Sequence, residues 1–168
     1  MKWGAQVIIG AICLTAMSNL AAVTAAVQTA KDEEVQFIGR YSNIRYTAEH
    51  AYGNDLQLWR DGTSIVGLWS RTNGPPSDFP AVLATDLLWD QATGSLRFAA
   101  TWCDETESLN GVLQNGQFTG TITSSRRSQR AESRRIALRK EDDDWGPMPR
   151  AEWKALMDRI LGTRGPKC

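Results

Sequence analysis

Between Phe37 and Glu141 the chain alternates apolar and polar residues with a period of two, broken every eight to twelve residues by turn-forming chemistry. Such alternation places successive side chains on opposite faces of an extended strand, so that one face is buried and the other meets water. Two dipeptides mark the joints most sharply. Asp61-Gly62 separates DLQLWR from TSIVGLWSR, and Asn115-Gly116 separates NGVLQ from QFTGTITS. In each, the glycine supplies the positive φ that a tight primed hairpin turn requires. With QFIGRYSNIRY before these segments, AVLATDLLWD and SLRFAATW between them and RRIALRK after them, the count reaches eight strands. The expectation is an all-β fold, an eight-stranded antiparallel up-and-down β-barrel, with a β-sandwich as the alternative. Closure is favoured because it removes the unpaired edges that a meander leaves. An eight-stranded barrel has an interior that side chains just fill, or that holds one small ligand.

The ends of the chain follow different rules. Past the last strand, Trp153, Leu156, Met157, Ile160 and Leu161 recur at helical spacing, with Pro149 near the start and Gly162 just beyond the end. This predicts one amphipathic helix whose apolar stripe packs on the barrel. At the other end, Met1-Lys2, the apolar run VIIGAICLTAM and the small residues SNLAAVTAA have the form of a secretory signal peptide. The expected organisation is a signal peptide over 1–25, a disordered linker over 26–34, the barrel over 35–141, and a connector with its helix over 142–168. An uncleaved anchor is the rival for the first segment, since Val7 to Val27 is about as long as a membrane span requires. The expected location is periplasmic or extracellular.

Charge narrows the partners. Loss of Lys2 with the signal leaves 18 basic against 19 acidic residues, so no overall field draws the chain to nucleic acid or to a membrane surface. Removing Cys13 leaves Cys103 and Cys168, and an oxidising compartment favours their pairing as a disulfide.

Little in the sequence points to catalysis. Ser64 in DGTSIVG has flanking glycines one residue too far apart for a nucleophile elbow, and it lies between strands rather than before a helix. His50 is the only histidine, so no zinc pattern exists and no metal or cofactor is expected. The acidic run Glu141 to Asp144 lacks the alternation and the glycine of a calcium loop, and reads as a solvated connector. Asp104, Glu105 and Glu107 read as an acidic loop after the fifth strand. No catalytic residue is assigned, and the chain is expected not to be an enzyme.

Binding is a better fit. Six tryptophans follow the signal segment, and indole suits both core filling and a ligand-facing wall. Trp59, Trp69, Phe98 and Trp102 are the candidate wall for a small apolar or amphipathic ligand held in the barrel. His50 and Tyr52, between the first strand and DLQLWR, are candidate rim residues. In the basic stretch SSRRSQRAESRRIALRK, Arg126, Arg127 and Arg130 are candidates for contact with a protein partner. That second function is an envelope interaction or inhibitor module.

Two features carry a resemblance, the run YSNIRYTAEHAYGNDLQLWRDG and the terminal RGPKC. With them the chain resembles a family of uncharacterised bacterial envelope proteins, which implies a small exported barrel and no known reaction. In shape it is similar to lipocalins, which also set a helix against an eight-stranded barrel. Their Gly-x-Trp signature is replaced here by Gly39-Arg40-Tyr41.

Overall fold

The structure, a computed structural model, describes residues 34–76, 79–127 and 129–166. The signal segment, nearly all of the linker, and Cys168 lie outside these residues. In chain order the strands are β1 (Glu34–Ser42), β2 (Arg45–Tyr46), β3 (Ala51–Asp61), β4 (Ser64–Gly74), β5 (Ala81–Leu83) and β6 (Thr85–Trp89). They continue as β7 (Ser95–Trp102), β8 (Glu105–Gln114), β9 (Gln117–Arg126), β10 (Glu132–Lys140) and β11 (Pro147–Pro149), before helix α1 (Arg150–Arg164). The sheet runs β5-β4-β3-β1-β10-β9-β8-β7-β6, with β11 added on β1 and β2 on β3. Every pairing is antiparallel. The fold is therefore all-β with one C-terminal helix, and the sheet is a nearly closed barrel.

The way it closes corrects the expected count of eight strands, for the path holds nine and the whole sheet eleven. AVLATDLLWD is not one strand. Its first part, β5, pairs with β4, whereas its second, β6, pairs with β7. Between them the Ala84 N–H donates to the Gly67 carbonyl at 2.8 Å. One bent segment thus joins both ends of the path. The bend is local: β6 slips register between Thr85 and Leu88, and Asp86 sits at φ 52°. Gly67 makes room for it, because a Cβ there would stand 2.7 Å from Leu87 Cδ1 and 3.0 Å from Ala84 Cβ.

Three further boundaries move. QFIGRYSNIRY ends its first strand at Ser42, and Arg45–Tyr46 turns back to pair with Tyr52 and Ala51. The helix runs through Gly162 to Arg164, and the Gly165 N–H caps it on the Leu161 carbonyl. Most consequential, β8 begins at Glu105, so Glu105 and Glu107 lie in a strand, and only Asp104 of the three acidic residues stays in the connection from β7, which is Cys103-Asp104. Cys103 turns that corner at φ 31°. The Asn115-Gly116 turn is as expected, with φ of 52° and 70°.

Apolar side chains are buried on both sides of the wall. Inside, Leu56, Leu58, Trp69, Leu96, Phe98, Leu109, Phe118, Ile122 and Leu138 belong to one continuous core. Outside, Val35, Trp59, Leu68 and Ala81 pack with Met157, flanked by Trp153, Leu156, Ile160 and Leu161 of α1. Burying one such side chain contributes about 1.5–3 kcal/mol, so the helix fixes its wall through this stripe. A bulge in β1 lets one strand serve both clusters. Register shifts between Phe37 and Gly39, which leaves Val35 in the outer cluster and turns Tyr41 to the inner one.

Candidate functional site

Extending the interior face along the strands toward one end of the barrel exchanges apolar for polar residues. On β4, Trp69 is followed at period two by Arg71; on β9, Ile122 by Ser124 and Arg126. On β8, Leu109 is preceded by Glu107 and Glu105; on β10, Ile136 by Arg134; on β3, Leu56 by Asn54 and Tyr52. Five strands thus raise a ring of hydrogen-bonding and charged groups above the core. They line an open cavity of about 740 Å³, with Tyr52, Asn54, Arg71, Glu107, Ser124 and Arg134 in its wall.

Glu107 forms the floor. It is 2 % exposed, and its Oε2 accepts hydrogen bonds from Trp69 Nε1 at 2.7 Å and Trp102 Nε1 at 3.1 Å. Its Oε1 accepts from Arg71 Nη1 at 3.4 Å, and Arg134 Nη2 stands 4.0 Å away. A buried carboxylate persists only when such partners replace water. Arg71 also donates through Nη2 to Glu105 Oε2 at 3.0 Å and lies over the Trp102 ring at 4.6 Å. Arg126 donates to the same Glu105 oxygen at 3.0 Å and pairs with Asp104 at 3.6 Å. Arg134 donates to Asn54 Oδ1 at 3.1 Å.

Protonation follows from this geometry. The hydrogen bond from Arg71 holds the Glu105 carboxyl below the usual carboxylate value against its partial burial, with Arg126 assisting. Burial works against the Arg71 charge, but hydrogen bonding to Glu105 and the charges of Glu107 and Glu105 outweigh it, so its proton is held more firmly than usual.

Two smaller cavities adjoin. One of about 590 Å³ shares Arg71 and Pro80 with the first and is walled by Phe79, Trp102, Cys103 and Arg164. There Arg164 Nε donates to the Phe79 carbonyl at 2.6 Å, and burial lowers the pKa of the guanidinium. The other, about 190 Å³, lies between Glu105, Ser124, Arg126, Arg130 and Glu132.

The residues singled out from sequence fall in three places. Trp69, Phe98 and Trp102 belong to the inner core, with Trp69 and Phe98 in edge contact at 5.6 Å. Trp59 is separated from them by the barrel wall and packs under α1, so the four do not form one surface. His50 closes the turn between β2 and β3, where its N–H donates to Thr47 Oγ1 at 3.0 Å and its carbonyl accepts from the Thr47 N–H at 2.8 Å. Its ring stacks on Tyr52 at 5.7 Å, and Tyr52 lines the mouth. Arg126 and Arg130 border the mouth as well, whereas Arg127 sits in the turn with its N–H directed to the Asp104 carbonyl at 3.4 Å. Cys103 lines the cavity of about 590 Å³; Cys168, its expected disulfide partner, lies outside the described residues. Among the described residues no cluster of three or more His, Cys, Asp or Glu is arranged to hold a metal ion.

Sequence reasoning did not single out Arg71 or Asn54 as a site, met Arg134 only as one arginine of the basic stretch, and placed Glu105 and Glu107 in a loop. The signal was present. Continuing each strand's inward period two residues past the core reaches Asn54, Arg71, Glu107 and Arg134, and two residues more reach Glu105.

No protein-family model, characterised protein or solved structure matches the chain. Among the described residues no helix is long and apolar enough to cross a membrane.

Proposed function

We propose that the protein is an exported, non-enzymatic binding module that takes a small polar or amphipathic molecule in the charged mouth of its barrel. The observation that carries this is the open cavity of about 740 Å³ set above a packed interior and walled by side chains from five strands. Polar groups held on a rigid scaffold orient a ligand without paying again for their own ordering. An apolar portion of the ligand would rest on Tyr52 and Pro80 at the rim, since the space below is filled by Trp69, Trp102 and the other core side chains. Export is supported by the signal-like start, and we propose that in an oxidising compartment Cys103 forms a disulfide. We assign its partner as Cys168, because Thr163 to Pro166 already face Cys103 across the adjoining cavity.

A thermal-shift screen of small polar and amphipathic compounds, run on the wild type and on Ser124→Phe, tests the site. Ser124 lines the mouth, so the bulky side chain fills it. Compounds that raise the wild-type melting temperature and leave that of the variant unchanged support the proposal. A screen in which the active compounds act equally on both proteins refutes it.

A further inference from the structure

We infer that the ligand of the mouth carries a carboxylate, and that the Arg134 guanidinium grips it; the inference rests on the mouth being the binding site. Depth and charge are sorted in this cup. Of the acceptors, the two carboxylates that line the cavity are sunk, with side chains 2 % exposed at Glu107 and 13 % at Glu105, whereas the arginine side chains are 32 % exposed at Arg71, 46 % at Arg126 and 53 % at Arg134; Asp104, 66 % exposed, lies outside that lining. A ligand entering from solvent therefore meets donors first. Arg71 is engaged by both glutamates, and Arg126 by Glu105 and Asp104. Arg134 differs. Among the described residues its one hydrogen bond is to Asn54, and its approach to Glu107 is 4.0 Å, so most of the five N–H donors of this cavity-lining side chain are left for a ligand.

A guanidinium presents those donors as a planar fork that matches an oxyanion with two oxygens in one plane. Glu107 then acts through Arg134 as a positioning residue. Fixed by two indole N–H groups, its charge steers the guanidinium from 4.0 Å, while Asn54 Oδ1 holds Nη2 directly at 3.1 Å and the other N–H groups are left to the ligand. The balance of charge selects the kind of oxyanion. Arg71, Arg126 and Arg134 are matched by Asp104, Glu105 and Glu107. A dianionic phosphate would meet more repulsion from the sunk carboxylates than a monoanionic carboxylate does.

The test titrates the full mature chain with octanoate, octanamide and octyl phosphate, three probes that share a tail and differ in head group. Binding is followed by ¹H–¹⁵N NMR of the arginine Nε–Hε groups and of the backbone amides of Asn54 and Ser124. Octanoate is expected to move the Arg134 Nε–Hε signal and both amides saturably, at least tenfold more tightly than octanamide and more tightly than octyl phosphate. Arg134→Gln should abolish the preference for octanoate over octanamide, and Arg134→Lys, which keeps the charge but not the fork, should retain only part of it. Equal binding of octanoate and octanamide at these signals overturns the inference while leaving the mouth a binding site. Tighter binding of the phosphate overturns the choice of carboxylate. Octanoate shifts absent from the mouth also overturn it, and whether the mouth binds anything is then decided separately by the Ser124→Phe comparison.

Discussion

The two faces of the barrel wall use tryptophan in opposite ways. At the mouth, Trp69 and Trp102 turn their indole N–H groups onto one Glu107 oxygen, so two large apolar side chains hold a charge in place. On the outer wall, Trp59 and Trp153 meet edge to face at 6.5 Å, and the buried Trp153 Nε1 has no hydrogen-bond partner among the described residues. There the rings pack against one another and hold no charged group. The difference teaches that a polar atom on an aromatic ring gains meaning from what the fold sets opposite it, and four experiments press on that contrast.

The largest effect is expected at the floor of the mouth. Glu107→Ala strands two indole N–H groups and removes the shared partner of Arg71 and Arg134. Breaking such a buried cluster from one side costs about 3 kcal/mol, and chemical denaturation should show it. If the loss is below that of the outer-wall variant described next, the carboxylate is not the organising group.

On the outer wall Met157 is the buried residue of α1. Met157→Ala should cost about 2 kcal/mol by lost burial and residual cavity. Ligand binding at the mouth should be unchanged, since the wall separates the two clusters. A parallel loss of binding would show that helix and mouth are coupled.

Acid sharpens the contrast further, because the outer cluster has no titratable group among its members. Glu105 has a lower pKa folded than unfolded, so the unfolded chain takes up its proton first as the pH falls. Its contribution is therefore fully present above the ordinary value of 4.5 and is lost as the pH drops through the lower folded value. Stability measured by urea melts should fall below that pH, and Glu105→Gln should flatten the slope while Met157→Ala should leave it unchanged.

The smallest effect belongs to solvent. Lys154 and Asp158 pair at 2.7 Å on the exposed side of α1, with side chains 70 % and 65 % exposed. Lys154→Ala should change stability by no more than about 0.5 kcal/mol, and this change should vanish in high salt.

Much of this architecture was legible in the residues. Most period-two segments and the Asn115-Gly116 joint follow from local geometry, as does the stripe from Trp153 to Leu161, and these stand where their pattern placed them. The failures share a cause. AVLATDLLWD reads as a single strand because nothing local marks the change of partner at Ala84, which depends on Gly67 of a distant strand making room. Trp59 and Trp69 are indistinguishable by composition. Only the register of β3 on β1 and β4, with the bulge after Phe37, puts one outside and the other inside. Glu105 and Glu107 looked like loop residues because acidic side chains disfavour strands, and the compensation comes from Arg71, which is 34 residues from Glu105 and 36 from Glu107.

The sequence by itself determined an alternating, hairpin-linked sheet and an amphipathic helix, because strand period, turn φ and helical spacing are properties of neighbouring residues. The tertiary structure decided which face became the interior, where the sheet closed, and that Trp69, Arg71, Trp102, Glu107 and Arg134 meet in one place. Those outcomes depend on register and closure, which bring together side chains that no local pattern relates.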